Sequence, residues 1–187
     1  TLQALEAELA AKPAALLAIT GASNVTGEVL PIRTLTALAH RHGARILIDA
    51  AQLVAHRPVA LASHGVDYVV FSGHKVYAPF GAGVLVGRSD WLDAAEPYLA
   101  GGGATHNVDL TETTWHTGAA RHEAGSPNVL GAVAIAAAAD AIGNLGYELI
   151  GYHERDLLTR LDAGLAKLDG VTPLRIFDDV ADRVGIA

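Results

Sequence analysis

Short apolar segments alternate with segments of helical periodicity through the first half of the chain. Four apolar runs have the length of strands: residues 14–20, 45–49, 66–72 and 81–87. The first three resemble strands that are buried on both faces of a sheet. Helical spacing, with proline or glycine near the ends, predicts helices over residues 1–11, 31–43, 59–63 and 89–95. This alternation predicts an α/β fold with a mainly parallel sheet flanked by helices.

The second half of the chain has a different pattern. Residues 101–125 are rich in Gly, Thr and His, so we expect a long irregular loop there. Two helices are predicted next, an alanine-rich one over 128–145 and one with leucines along one face over 147–168. Residues 171–177 are predicted to form a new strand, with a domain boundary at Gly170. The chain has no Met and begins within a predicted helix, so we expect a segment of a longer protein.

Composition narrows the class of protein. The 187 residues carry 13 basic and 20 acidic side chains, a net charge of −7, which argues against a nucleic-acid partner. The longest apolar run, 129–139, is shorter than the roughly 20 residues that span a bilayer, so we expect no membrane association and a cytoplasmic location. The chain has no cysteine, and its nine histidines show no metal-ligand spacing, so we expect no metal site.

Polar side chains follow the three predicted parallel strands where each strand ends. They are Thr20 and Asn24, then Asp49, and then Ser72, His74 and Lys75. Ligands of open parallel sheets bind beside the carboxyl ends of the strands, so these groups define one candidate site. Taken singly, each has a simpler interpretation: Asp49 as a helix N-cap, Lys75 as a solvated loop residue, and Ser72 and His74 as turn residues around Gly73.

The combination of these groups favours one kind of ligand. A phosphate needs hydroxyl and imidazole donors, and a protonated ring nitrogen needs a carboxylate. An aldehyde cofactor needs a lysine amine that can form a Schiff base. Pyridoxal 5'-phosphate (PLP) requires all three at once.

Five stretches of the chain resemble those of the class V (fold type I) PLP-dependent aminotransferases, nearest the cysteine desulfurase and selenocysteine lyase branch. In chain order they are SNVTG at 23–27, IDAAQ at 48–52, FSGHKVYAP at 71–79, GGG at 101–103 and RHEAGSPN at 121–128. The third stretch resembles the family's PLP-lysine motif. The resemblance covers essentially the whole chain.

The resemblance implies a role for each matching residue. Lys75 would form the Schiff base and move the Cα proton of the substrate. Asp49 would pair with the pyridine nitrogen, Gln52 would bond to the phenolic oxygen, and Ala51 would pack on a ring face. The remaining roles are phosphate binding by Ser72 and His74, contact with the phenolic oxygen and substrate carboxylate by Asn24, and contact with the neighbouring subunit's phosphate by Ser126.

The resemblance also implies an organisation for the molecule. Residues 1–170 would be the central and C-terminal part of the PLP-binding large domain, and 171–187 the start of a truncated small domain. The protein would be a homodimer with shared active sites, acting on an amino acid, with a sulfur-acceptor protein as partner if it is a desulfurase. The family's phosphate loop, ring-stacking residue, carboxylate arginine and catalytic cysteine would lie outside this chain, so the isolated segment is expected to be inactive.

Two other classes of function compete with this interpretation. One is a non-catalytic protein that keeps the PLP fold as a scaffold or binding module. A scaffold has no need of Lys75 together with Asp49, Gln52 and His74. The other is a nucleotide-binding α/β domain, but the chain has no P-loop, and Gly81-x-Gly83 lacks the spacing of a dinucleotide motif.

Overall fold

A computed structural model describes residues 1–79, 81–177 and 182–186. Its main sheet has four strands in the order β1 (Leu16–Thr20), β2 (Arg45–Asp49), β3 (Tyr68–Ser72) and β4 (Gly83–Gly87). The first three strands are parallel, and β4 runs antiparallel to β3. The predicted α/β fold with a mainly parallel sheet is confirmed.

The helices lie within three residues of the predicted ranges. They are α1 (Leu2–Ala11), α2 (Ile32–Arg41), α3 (Leu61–His64), α4 (Asp90–Ala94), α5 (Val129–Leu145) and α6 (Tyr147–Leu165). The Thr1 hydroxyl caps α1 by accepting a hydrogen bond from the Ala4 backbone N–H at 3.3 Å. Gly65, in the left-handed conformation, ends α3.

The core lies between β2, β3 and the apolar side of α2. Ile46 and Ile48 of β2 are fully buried and share one cluster with Leu35 of α2 and Val69 of β3. Burying each such side chain stabilises the fold by about 1.5–3 kcal/mol relative to exposure. This cluster holds β2 at the centre of the sheet, and therefore fixes where β2 ends at the candidate site.

Of the three strands expected to be buried on both faces, β3 has consecutive buried residues, Tyr68 and Val69, on its two faces, whereas the expectation is wrong for β1. β1 contains no fully buried residue, and Leu16 is 39 % exposed because β1 forms an edge of the sheet. On β4, at the other edge, Leu85 is 54 % exposed. In this chain a continuous apolar run therefore predicts a strand, but it does not predict that helices or other elements cover both faces of that strand.

The predicted loop over residues 101–125 contains regular structure. β5 (Thr105–Val108) pairs antiparallel with β6 (Thr113–Trp115) in a hairpin. Asp109 Oδ1 holds the turn by accepting hydrogen bonds from the backbone N–H groups of Thr111 and Glu112, both at 2.8 Å. The hairpin therefore forms because of the hydrogen bonds of its turn, although the segment contains few apolar residues.

The predicted strand over residues 171–177 is also wrong, because these residues form no strand. The backbone N–H groups of Ile176 and Phe177 donate their hydrogen bonds to the Glu28 carboxylate and not to a neighbouring strand. Further along, the Val184 N–H donates to the Gly27 carbonyl at 2.9 Å. The domain boundary predicted at residue 170 stays a prediction.

Within the described residues, no single helix is long and apolar enough to cross a membrane. Taken together, the consecutive helices α5 and α6 are long and apolar enough for a membrane span, but there is a bend of 76° between them.

Candidate functional site

The carboxyl ends of β1, β2 and β3 meet at one edge of the sheet. Thr20 is aligned with Asp49, and Asp49 is aligned with Val70. The Gly21 N–H donates to the Asp49 carbonyl at 2.8 Å, which extends the pairing one residue beyond the strands. Sheet hydrogen bonding therefore sets the relative positions of the side chains that follow these strands.

A cavity of about 500 Å³ opens beside these strand ends. It is lined by Thr20, Ala22, Ser23, Asn24, Leu30, Asp49, Ala51, Gln52, Lys75, Ile176 and Phe177. Small-molecule sites in proteins commonly have volumes of roughly 300–1,000 Å³. The cavity brings together six residues that the sequence assigns to one site: Thr20, Asn24, Asp49, Ala51, Gln52 and Lys75.

Three other predicted site residues do not line this cavity. Ser72 is half-buried at the end of β3, opposite Gly83 of β4. His74 is exposed in the turn that follows, and Ser126 is exposed in the loop before α5. Their assignment to phosphate contacts, including the contact of Ser126 with a neighbouring subunit, stays a prediction.

Of the two roles considered for Asp49, the structure shows the capping role, and the role at a ligand stays a prediction. Its Oδ1 accepts a hydrogen bond from the Ala51 backbone N–H at 2.9 Å, so it does cap the turn that follows β2. Its second oxygen has no hydrogen-bond partner among residues 1–79, 81–177 and 182–186. The side chain is exposed at the cavity wall. One carboxylate oxygen is thus used by the fold and the other is available to a ligand.

Lys75 lies in a 3₁₀ turn (Gly73–Val76) that begins directly after β3. The Gly73 N–H donates to the Ala82 carbonyl at 2.8 Å. A Cβ atom at Gly73 would lie 2.8 Å from Ile135 Cγ1 of α5, so close that one of the two would have to shift. Val76 is buried behind the turn. Lys75 is therefore presented by a turn packed tightly between β4 and α5.

Tyr77 follows this turn in an unusual backbone conformation. Its φ of 69° is the only positive value for a non-glycine residue in the described part of the chain. Its side chain is 78 % exposed, so burial of the ring does not compensate for the strain. Backbone strain of this kind costs about 1–3 kcal/mol and clusters at functional sites.

The turn that carries Asn24 is held by its neighbour Ser23. Ser23 Oγ accepts hydrogen bonds from the backbone N–H groups of Val25 at 3.2 Å and Thr26 at 3.1 Å. Asn24 is exposed at this turn and reaches the cavity from the β1 side. The local sequence thus fixes the turn and leaves the Asn24 amide available.

Sequence reasoning missed Ile176 and Phe177 as cavity residues, and Glu28, which holds them. Glu28 is 1 % exposed; its Oε2 accepts from the Ile176 N–H at 2.6 Å and its Oε1 from the Phe177 N–H at 3.0 Å. Burial acts to raise the pKa of Glu28. Hydrogen bonds from Thr26 and the two amides, with the charge of Arg175, outweigh burial, so the pKa lies below its usual 4.5. The only signal in the sequence was an acidic residue beside apolar ones.

The two downstream stretches of the resemblance pack against each other and not around the cavity. The Gly103 N–H donates to the Ala124 carbonyl at 3.1 Å, and a Cβ atom at Gly101 would overlap the same carbonyl. Arg121 Nε donates to the Ala95 carbonyl at 2.6 Å. These residues therefore support the segment that connects α4 to α5.

Asn128 joins that segment to the sheet. Its Nδ2 donates to the Gly81 carbonyl at 2.9 Å, and its Oδ1 accepts from the Gly131 N–H at 2.9 Å, capping α5. Elsewhere in the described residues, no group of three or more His, Asp or Glu side chains could hold a metal ion.

Comparisons with known proteins show the family of the chain and the similarity of its fold. The family model described as aminotransferase class-V matches residues 1–183. A cysteine desulfurase of Klebsiella pneumoniae (strain 342) is 48% identical over 144 residues, which are 76% of this chain and 36% of that protein.

Two solved structures are similar as well. The apo structure of a cysteine desulfurase from Thermococcus onnurineus NA1 has a TM-score of 0.89 and 32% identity, covering 98% of this chain and 45% of that one. A mutant of C-DES with glycine covalently linked to its PLP cofactor has a TM-score of 0.73 and 26% identity. The match covers 90% of this chain and 48% of that one. The chain spans less than half the length of these three proteins.

Proposed function

Since the chain belongs to the aminotransferase class-V family, we propose that it carries the cofactor site of a PLP-dependent enzyme that acts on an amino acid, with cysteine desulfuration as the reaction. The observation that carries this proposal is the single cavity in which Lys75, Asp49 and Gln52 lie together at the strand ends. The similarity to named cysteine desulfurases supports the choice of reaction.

The chemistry of the cavity residues fits PLP. The second oxygen of Asp49 can accept a hydrogen bond from a protonated ring nitrogen, and the Lys75 amine can react with an aldehyde. Gln52 and Asn24 offer amide donors for ring and carboxylate oxygens. Ala51, half-buried between Asp49 and Gln52, gives the small apolar surface that a flat ring requires.

When bound, PLP supplies an aldehyde and a ring that accepts electrons from the carbon beside the amine. Lys75 would hold PLP through its Nζ and, when the substrate amine takes its place, would carry the proton to and from the substrate Cα. Asp49, held in position by the Ala51 N–H, would keep the ring nitrogen protonated. Gln52 and Asn24 orient the ligand by donating hydrogen bonds.

The same proposal includes a homodimer in the cytoplasm, with a sulfur-acceptor protein as partner. An apolar groove of about 540 Å³ between residues 77–79 and α5 supports self-association. Leu130, near the start of α5, is 85 % exposed. In a two-fold dimer Ser126 would reach the partner's site, as the family resemblance implies.

The test compares Lys75→Ala with the matched control Lys12→Ala in the full natural chain. Lys12 is an exposed lysine at the end of α1 and does not line the cavity. We expect Lys12→Ala to release alanine and sulfur from L-cysteine at the wild-type rate and Lys75→Ala to release none above background. Undiminished turnover by Lys75→Ala would contradict the proposal, and an inert wild-type protein would favour a non-catalytic scaffold.

A further inference from the structure

The part of the cavity wall formed by Ile176 and Phe177 depends on one buried carboxylate. Glu28 accepts a hydrogen bond from each of two consecutive backbone N–H groups, those of Ile176 and Phe177. The donors lie 148 and 149 residues further along the chain. Both residues also line the cavity that contains Asp49 and Lys75.

A carboxylate in this position needs its partners. Glu28 is almost completely buried, and a buried charge that loses its hydrogen bonds destabilises its surroundings strongly. Because each Glu28 oxygen accepts from one of two consecutive N–H groups, the pair of hydrogen bonds fixes both the distance of residues 176–177 from Glu28 and the direction in which the backbone runs there. Exposed ion pairs elsewhere in the molecule, such as Glu8 with Lys12, give no such constraint.

The loop that carries Glu28 contacts the chain beyond Phe177 as well. The Val29 N–H donates to the Asp182 carbonyl at 3.0 Å, and Glu28 forms an isolated bridge with Arg183. Gly27 has a φ of 71°, and a Cβ atom there would lie 2.7 Å from the Ile186 carbonyl oxygen. Residues 27–29 are therefore shaped to receive the later segment, while Asn24 at the start of the same loop reaches the cavity.

We propose that Glu28 is a positioning residue for the ligand site: it holds Ile176 and Phe177 as the apolar wall of the Lys75 cavity and thereby sets the affinity for the amino-acid substrate. The inference rests on the proposed function for the identity of the ligand. It predicts that the loss of the carboxylate weakens substrate binding while the chemistry at Lys75 is kept.

The first measurement tests the contact without using activity. Hydrogen–deuterium exchange is followed for the peptide containing residues 171–177 in the wild type, in Glu28→Gln and in Glu8→Gln. A glutamine side chain has one acceptor oxygen, so one amide loses its partner. We expect exchange at least tenfold faster in Glu28→Gln and unchanged in Glu8→Gln, which removes an equal charge from an exposed site. Unchanged exchange in Glu28→Gln would overturn the inference.

The second measurement separates binding from chemistry in the full natural chain with PLP bound. We expect the KM for L-cysteine to rise about tenfold in Glu28→Gln, with kcat and bound PLP within twofold of wild type. Phe177→Ala truncates the same wall, so adding it to Glu28→Gln should raise KM by less than the product of the separate effects. An unchanged KM beside faster exchange would also overturn the inference.

Glu28→Asp provides a second variant if Glu28→Gln fails to fold. The shorter side chain keeps the charge but cannot reach both amides equally, so KM and exchange should change in the same direction by a smaller factor. An aspartate variant identical to wild type in both would contradict the account. Failure of the proposed function would appear separately, as a wild-type protein without PLP bound at Lys75, while the exchange measurement would still decide whether Glu28 holds the segment.

Discussion

The two walls of the cavity are built in different ways. The polar wall, with Asp49 and Lys75, follows neighbouring strands whose register is fixed by backbone pairing and by the core beneath β2. The apolar wall, with Ile176 and Phe177, has no strand partner and is held by the carboxylate of Glu28. The polar wall is therefore supported by many cooperative contacts and the apolar wall by a few specific ones. Substitutions should accordingly affect chemistry at the first wall and affinity and stability at the second.

The largest effect is expected from Asp49→Asn on the polar wall. The asparagine oxygen can still cap the Ala51 N–H, so the fold should be unaffected, but an amide cannot keep a ring nitrogen protonated. Removing such an electrostatic partner reduces turnover about a hundredfold, or about 3 kcal/mol. Steady-state rates and urea unfolding of the same preparations measure both quantities, with Asp140→Asn on α5 as the control. Equal rates for wild type and Asp49→Asn would reduce Asp49 to a capping residue.

Glu28→Gln should have the largest effect on stability. Losing the charge-assisted hydrogen bonds should lower the free energy of unfolding by about 3 kcal/mol at pH 7. The pKa of Glu28 is lower in the folded protein than its usual 4.5. The carboxylate therefore stabilises the fold fully above pH 4.5. This contribution is lost as the pH falls from there through the pKa of the folded state. The difference between the two proteins, measured by urea unfolding, should therefore shrink in acid. A difference that stays constant down to pH 3 would contradict this account.

Gly73→Ala tests how tightly the Lys75 turn is packed. The added methyl group would meet Ile135 and the Ala82 carbonyl, so we expect a loss of about 2 kcal/mol and weaker PLP retention. Gly143→Ala on α5 is the matched control, since a Cβ atom there meets nothing within 4 Å. The second substitution Ile135→Ala should restore PLP retention by making room. Failure of this rescue, measured by visible absorbance of the bound cofactor, would show that the turn is not held by this contact.

Tyr77→Gly should have the smallest effect. Glycine adopts a positive φ without steric cost, so relief of strain should stabilise the folded protein by up to about 1 kcal/mol, offset in part by the greater freedom of glycine in the unfolded chain. Bound PLP should be unchanged, because the Tyr77 ring does not line the cavity; a loss of bound PLP would point instead to the apolar groove beside residues 77–79, through self-association. Thermal unfolding with and without PLP measures both. A destabilisation above about 1 kcal/mol would mean that the Tyr77 ring makes a stabilising contact, in addition to the backbone strain at this position.

The difference between the walls also explains what could be predicted from the sequence. Asp49 and Lys75 could be assigned to one site because apolar runs locate strands and parallel strands end at the same edge. Ile176 and Phe177 could not, because their position depends on a contact 148 residues away that leaves no periodic pattern. The β5–β6 hairpin was missed because its turn is made by Asp109 and not by an apolar alternation. Ser72 and His74 were assigned to the site because they follow β3 and match the family's motif; they do not line this cavity, and their contact with a phosphate stays a prediction.

The most direct test of the central claim is covalent trapping of PLP on the full natural chain. The protein is incubated with PLP, reduced with borohydride and digested, and the modified peptide is identified by mass spectrometry. The account predicts one stable modification, on Lys75, which disappears in Lys75→Ala and persists in Asp49→Asn. Modification of Lys12 or Lys167 at equal yield, or no modification of Lys75, would contradict it.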